Sequence, residues 1–210
     1  MSAVPHQNPH GAANGAAAET RRERRKREVH DRIARAATAL FERQGFTDTT
    51  ALEIADAADV AEKTFYNHFP TKQHLIEELA RNSLERLMQI LDEARRAAGT
   101  PRERLQRFFE GAADEAEAGS RPLARELILE WIRISQVDHP EDRRLHEAFS
   151  ALFAGGGGDA RERDFLADMA VATYTGILIN WVSRSDYPLR ERLLAAARLL
   201  SGAAARKESR

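Results

Sequence analysis

A chain of 210 residues has room for one medium domain or two small ones. Its 32 Lys+Arg nearly balance 33 Asp+Glu, for a net charge of -1, so any nucleic-acid surface must be a local patch rather than a global field. The absence of cysteine excludes disulfide frameworks, thiolate zinc sites and cysteine nucleophiles, and it fits a reducing cytoplasm.

In chain order, residues 1–20 are rich in Ala, Gly, Asn, His and Pro and poor in large apolar side chains. Such a segment cannot bury enough surface to offset its ordering entropy, which predicts a disordered tail. The basic run 21–27 follows, so that residues 1–44 carry nine Lys+Arg against five Asp+Glu. Val29, Ile33, Ala36, Ala37, Leu40 and Phe41 then recur at three- and four-residue steps, the stripe of an amphipathic helix. Gly45 can end that helix in a left-handed conformation, with Phe46 folding back on the last turn. Thr50 with Glu53 predicts a capping box opening a short helix over 51–58. A third helix is expected over 62–69, bounded by Pro70, and Thr71 then caps a long helix reaching about residue 98.

Further helices are expected at about 101–118, 121–136, 141–154, 161–183 and 187–204. Gly99-Thr100-Pro101, Gly119-Ser120, Asp138-His139-Pro140 and the four glycines at 155–158 punctuate them. No run alternates at period two, so the fold class is all-α. The most apolar stretch, 169–182, is interrupted by Thr173, Thr175 and Asn180. It falls short of the roughly 18 apolar residues that crossing a bilayer requires, so no membrane association is expected.

Residues 50–69 hold two short helices and a tight turn, the spacing of a helix-turn-helix whose second helix enters the DNA major groove. Ile54, Ala55, Ala58, Val60, Phe65 and Phe69 would form its core. Glu62, Lys63, Thr64, Tyr66, Asn67 and His68 would point outward, and all six can hydrogen-bond to base edges or phosphates. Lys72 has a separate argument. A cation in the first turn of a helix opposes the macrodipole and so invites an anion, such as a phosphate, to the same place.

Thr49-Thr50, Ile54-Ala55, Ala58-Asp59-Val60, Lys63 to Phe69 and Thr71-Lys72 together resemble the N-terminal signature of TetR-family transcriptional regulators. The resemblance covers about residues 29–80. It implies base and phosphate contacts from Thr50, Lys63, Thr64, Tyr66, Asn67, His68 and Lys72. Three positions depart from the pattern: Asp59 replaces a usual glycine, Ala61 replaces the usual serine cap of the third helix, and Leu52 stands where a polar residue is common. The basic residues Arg24, Arg25, Lys26 and Arg27 have two readings, a solvated helix start or an arm touching DNA.

The resemblance further implies a helix-turn-helix domain over 21–71, an effector-binding and dimerisation domain over 72–204 and a short C-terminal tail at 205–210. Pocket candidates are Phe108, Phe109, Leu127, Ile128, Trp131, Ile132, Phe149, Phe153 and Tyr174, with Phe108, Ile128, Trp131, Phe149 and Tyr174 as the chosen lining. The helix at 161–183 is apolar almost all round, which predicts burial against both a core and a second subunit. Ile177, Trp181, Leu193 and Leu200 are its expected dimer contacts, with those of the last helix.

His139 and His146 match no compact metal-ligand set, and the glycines at 155–158 follow a helix and lack a phosphate-cradle ending. No metal, cofactor or catalytic constellation is expected. The function expected is therefore that of a cytoplasmic, non-enzymatic, homodimeric repressor. It would bind a pseudo-palindromic double-stranded operator and be released by a small-molecule effector. The alternative is a helix-turn-helix protein that has lost DNA recognition and serves as a protein-interaction module.

Overall fold

The computed structural model describes residues 20–135, 140–156 and 159–205. Among them are nine helices and no strand: α1 (Arg21–Gln44), α2 (Ala51–Ala57), α3 (Glu62–His68), α4 (Lys72–Arg96), α5 (Pro101–Ala118), α6 (Arg121–Ser135), α7 (Pro140–Leu152), α8 (Ala160–Ser183) and α9 (Leu189–Ala205). The tail expected over 1–20 lies outside the described residues except for Thr20. Its side chain caps α1 in a capping box with Glu23, offsetting the unfavourable basic first turns. Residues 206–210 and His139 also lie outside the described residues.

Caps set most boundaries. Thr50 and Glu53 close a capping box on α2, Thr71 accepts from the His74 amide at the start of α4, and Thr100 with Glu103 boxes α5 behind Pro101. Gly45 takes φ 84°, as the sequence predicts, but with an extended ψ of 164° rather than a left-handed one. Phe46 does fold back, its ring edge-on to Phe41 at 5.3 Å.

Two hydrophobic cores result. The first joins Ile33, Ala37, Leu40 and Phe41 of α1 to Ile54, Ala55, Ala58, Phe65 and Phe69, closed by Leu75 and Ile76 at the start of α4. Leu123 of α6 also enters it. The second is built on α5, which packs against α9 and α4, while α7 and α8 lie together across it. α4 runs through both cores, with Leu91 and Ala94 in the second.

The apolar stretch read at 169–182 lies within α8. By length and composition alone, an 18-residue stretch within α8 is apolar enough to cross a membrane, since only a few residues before 169, after the charged run 161–164, need be added to the apolar stretch. In this fold it sends Leu166, Ala167, Ala170, Tyr174 and Trp181 into the second core and leaves Phe165, Met169 and Ile179 outside.

Candidate functional site

The helix-turn-helix is built around one unusual residue. Asp59 has φ 51°, the one positive φ outside glycine among the described residues. Val60 donates its amide to Ala55 O at 3.0 Å and Asp59 to Asp56 O at 3.0 Å, the paired bonds of a Schellman C-terminus with Asp59 at the left-handed position. Asp is one of the few residues that reach this region at modest cost, so the departure at 59 preserves the turn. Ala61, in contrast, gives α3 no side-chain cap. Leu52 is half-exposed on the outer face of α2.

α3 is anchored by Phe65, which is fully buried, and by Phe69 just beyond it. Their register turns Lys63, Tyr66 and Asn67 fully outward and leaves Thr64 half-buried. Thr50 is exposed at the N-terminus of α2, its hydroxyl shared with Glu53. These five residues lie on the two adjoining helices of the motif. Arg24, Arg25, Lys26 and Arg27 are exposed within the first two turns of α1, so the basic run is helical rather than an extended arm.

Two expected contacts are placed elsewhere. Lys72 does not present an open charge. Its ammonium donates to Phe46 O at 2.5 Å, Thr49 O at 2.6 Å and Thr47 O at 3.4 Å, and it lies 4.3 Å from the centre of the Phe46 ring. The macrodipole conflict is thus met by carbonyls of the loop before α2, and desolvation lowers the lysine's proton affinity. His68 is half-buried and tilted toward His30, with ring centroids 5.7 Å apart, and its Nδ1 is buried without a hydrogen-bond partner. His30 in turn stacks on Phe69 and meets Glu78 of α4 at 2.5 Å. Both residues make contacts within the chain that could position the motif. Sequence periodicity could not separate that role from an outward one.

A cavity of about 350 Å³ opens between α1, α4, α5, α6 and α8. Leu127, Ile128, Trp131 and Tyr174 line it. Phe108, Phe109, Phe149 and Phe153 do not: they are buried solidly, and Phe108 and Phe149 hold the Tyr174 ring in place at 5.6 and 6.4 Å. The lining that the sequence missed comes from small and aliphatic residues of α4 and α5, including Ser83, Leu84, Leu87, Ala112 and Ala116, and from Thr38 and Glu42 of α1. The alanines could have signalled it, since small side chains on facing helices leave space. Burial pushes the Tyr174 phenol strongly up, so it stays protonated.

The residues expected at a dimer contact are placed as follows in the single chain. Leu193 is completely buried, and Leu200 and Trp181 nearly so, within the single chain, because α9 packs on α5 and Trp181 faces the cavity. Ile177 is half-buried beside the second core. The apolar side chains that do face outward are Phe165, Met169 and Ile179 on α8 and Leu199 on α9, the last 76% exposed.

α6 links the two regions. Leu123 sits in the first core while Ile128 and Trp131 line the cavity. Buried Glu130 accepts from Gln73 of α4 at 2.7 Å and from Arg133 at 2.9 Å, and Arg133 reaches Glu77 at 2.7 Å. No metal-holding cluster occurs among the described residues.

Residues 33–79 match the family described as "Bacterial regulatory proteins, tetR family". The chain is 29% identical over 191 residues to the HTH-type transcriptional repressor KstR of Mycolicibacterium smegmatis, covering 88% of this chain and 90% of that protein. Its fold superimposes on Salmonella enterica GusR with a TM-score of 0.63 at 26% identity, covering 84% of this chain and 93% of the other. It also superimposes on Thermus thermophilus FadR, a TetR-family repressor in complex with lauroyl-CoA, with a TM-score of 0.59 at 24% identity over 81% and 92% of the two chains. With this helix-turn-helix and this all-helical frame, the chain is similar to the TetR family of bacterial regulatory proteins over residues 33–79 and to an HTH-type transcriptional repressor along most of its length.

Proposed function

We propose that this protein is a cytoplasmic repressor that binds a pseudo-palindromic operator as a homodimer and releases it when a small molecule fills the cavity. The observation that carries this reading is the outward face of α3. Lys63, Tyr66 and Asn67 stand exposed on a helix whose opposite side is locked by Phe65, so the side chains that could read bases are held rigidly. Thr50 and Thr64 flank them. The basic first turns of α1 supply phosphate-facing charge that α2, with Glu53 and Asp56, lacks. The relative KstR is a repressor by name, which supports the direction of control.

The proposed division places the DNA-binding unit at 21–71 and the effector and dimerisation unit at 72–204. The first core's use of Leu75, Ile76 and Leu123 makes the second unit part of the first one's support. The outward stripe of Phe165, Met169, Ile179 and Leu199 is the proposed dimer face. A two-fold across it would present two α3 helices to half-sites about 34–36 Å apart, or a multiple of that spacing. Binding, not turnover, is the proposed activity. The reading as a DNA-silent interaction module is not favoured, because the departure at Asp59 is absorbed by the turn and the exposed face of α3 is intact.

Selection of bound duplexes from a random DNA pool, at two salt concentrations, tests the proposal. An inverted repeat is the expected result. Motif-free binding that disappears with salt, or none, would overturn it.

A further inference from the structure

We propose that the cavity selects an uncharged, mainly apolar molecule carrying one hydrogen-bonding oxygen, and discriminates against the matching carboxylate. This rests on the reading of the cavity as the effector site and adds the chemical class of the effector.

The argument starts from the walls. Leu84, Leu87, Ile128, Trp131, Leu178 and Trp181 offer apolar surface to the body of a ligand. Among this lining, the hydroxyl oxygen of Thr175 is buried and has no hydrogen-bond partner among the described residues. A buried polar atom in that state is where a ligand's own polar atom gains most. The neighbouring Tyr174 hydroxyl is a phenol, able to donate or accept.

The charges point the other way from an acid. Among the described lining, Arg86 is the single cation, and its Nε is held by Glu115 Oε1 at 2.5 Å at the rim between α4 and α5. The remaining charged group is Glu42 of α1, which adds a second carboxylate. The other polar lining, from Thr38, Ser83 and Ser120, is uncharged. An incoming carboxylate would meet two carboxylates and find the one guanidinium already engaged. An alcohol or ketone would leave that ion pair intact and satisfy Thr175. Desolvating an unpaired carboxylate is strongly unfavourable, whereas a hydrogen-bonded hydroxyl is not.

The test uses an internal reporter. The chain's two tryptophans, Trp131 and Trp181, both line the cavity, so intrinsic emission reads its occupancy. The full chain is titrated with two matched pairs, decan-1-ol against decanoate and cyclododecanol against cyclododecanecarboxylate, at about pH 8, where carboxylates are ionised. At least one alcohol is expected to change the emission saturably, with its acid roughly tenfold weaker or worse. Glu115→Gln, at an exposed position, frees Arg86 and is expected to bring the acid to parity or beyond. Thr175→Val keeps the shape of the side chain and is expected to weaken the alcohol by about fivefold, the effect of one lost hydrogen bond. An acid that binds the unaltered protein as tightly as its alcohol overturns the proposal and leaves the cavity as an effector site. If neither pair alters the emission, the cavity reading itself fails, and this inference with it.

Discussion

Replacing Lys72 by methionine separates two physical roles that the sequence leaves merged. Methionine keeps most of the apolar stem and removes the ammonium. In the structure that ammonium donates to the carbonyls of Phe46, Thr47 and Thr49, two of the contacts at 2.5 and 2.6 Å, and it sits over the Phe46 ring. A hydrogen bond to a charged group contributes about 1.5–3 kcal/mol. Three acceptors share one donor head here, and the side chain is only partly buried, so the whole clasp is worth roughly 2 kcal/mol rather than the sum. For a chain of this size each kcal/mol moves the midpoint by about 2–4 °C, so Lys72→Met is expected to lower Tm by about 4–8 °C.

The DNA side of the same experiment is the discriminating one. A lysine that contacts phosphate contributes about 0.9 to the slope of log affinity against log salt for each contact. A lysine used as a clasp contributes nothing to that slope. Thermal melts, together with salt-dependent binding measured well below the midpoint of the variant, are therefore expected to show a lower Tm with an unchanged slope. An unchanged Tm with a slope reduced by about one unit would refute the clasp and restore Lys72 to the DNA interface.

Asp59→Gly relieves a left-handed φ that costs an L-residue up to about 1–2 kcal/mol, less the 0.4–1 kcal/mol that glycine adds to the freedom of the unfolded chain. A small rise in Tm, about 1–2 °C, is expected by calorimetry, and any fall would contradict the strain argument. Burial, then the neighbouring His30 and Lys26, holds His68 below its ordinary value of 6.5. Just below pH 6.5 the unfolded chain thus binds more protons at this residue than the folded one, and stability falls as the pH drops through that window. His68→Gln should make the fall in urea midpoint shallower; equal slopes in the two proteins would dismiss His68 as its source. Leu199→Asp, on the proposed dimer face, is expected to yield monomers in sedimentation without a loss of helicity, and a dimer that persists would move the interface elsewhere.

The all-α class and nearly every helix boundary were legible because caps and breakers act locally. Thr50, Thr71 and Thr100 each carry their partner within three residues, and the apolar stripe of α1 repeats at the helical period. What periodicity gives is the face of one helix, not what that face meets. Leu193 and Leu200 have the spacing of an interface and are buried within the single chain, while Leu199, beside Leu200, is exposed. The intrachain partners of Lys72 and His68 were illegible for a similar reason. Their partners, loop carbonyls 23–26 residues away and His30 on α1, are brought near only by the fold. Phe108 and Phe149 are aromatic like a pocket's lining, yet they stack behind Tyr174, and the open space is left by alanines instead.

α6 is where these separate readings meet, and its placement bears on how an effector could act at a distance. Leu123 is buried among the residues that fix α1 and the start of α4, while Ile128 and Trp131, on the same rigid helix, wall the cavity. The Gln73–Glu130–Arg133–Glu77 chain ties the far part of α6 to the first turns of α4, directly after the helix-turn-helix. A ligand that displaces the α6 backbone at Trp131, rather than only turning the side chain, must either bend α6 or carry Leu123 with it. Bending a continuous helix breaks backbone hydrogen bonds; moving Leu123 partly vacates a site whose complete loss costs about 2–5 kcal/mol. Coupling energies between effector and DNA sites are typically about 1–3 kcal/mol. Under the proposed function, a partial shift of this one leucine, with the strain it sends into the polar chain on α4, would be enough to supply such coupling without any unfolding of the DNA-binding unit.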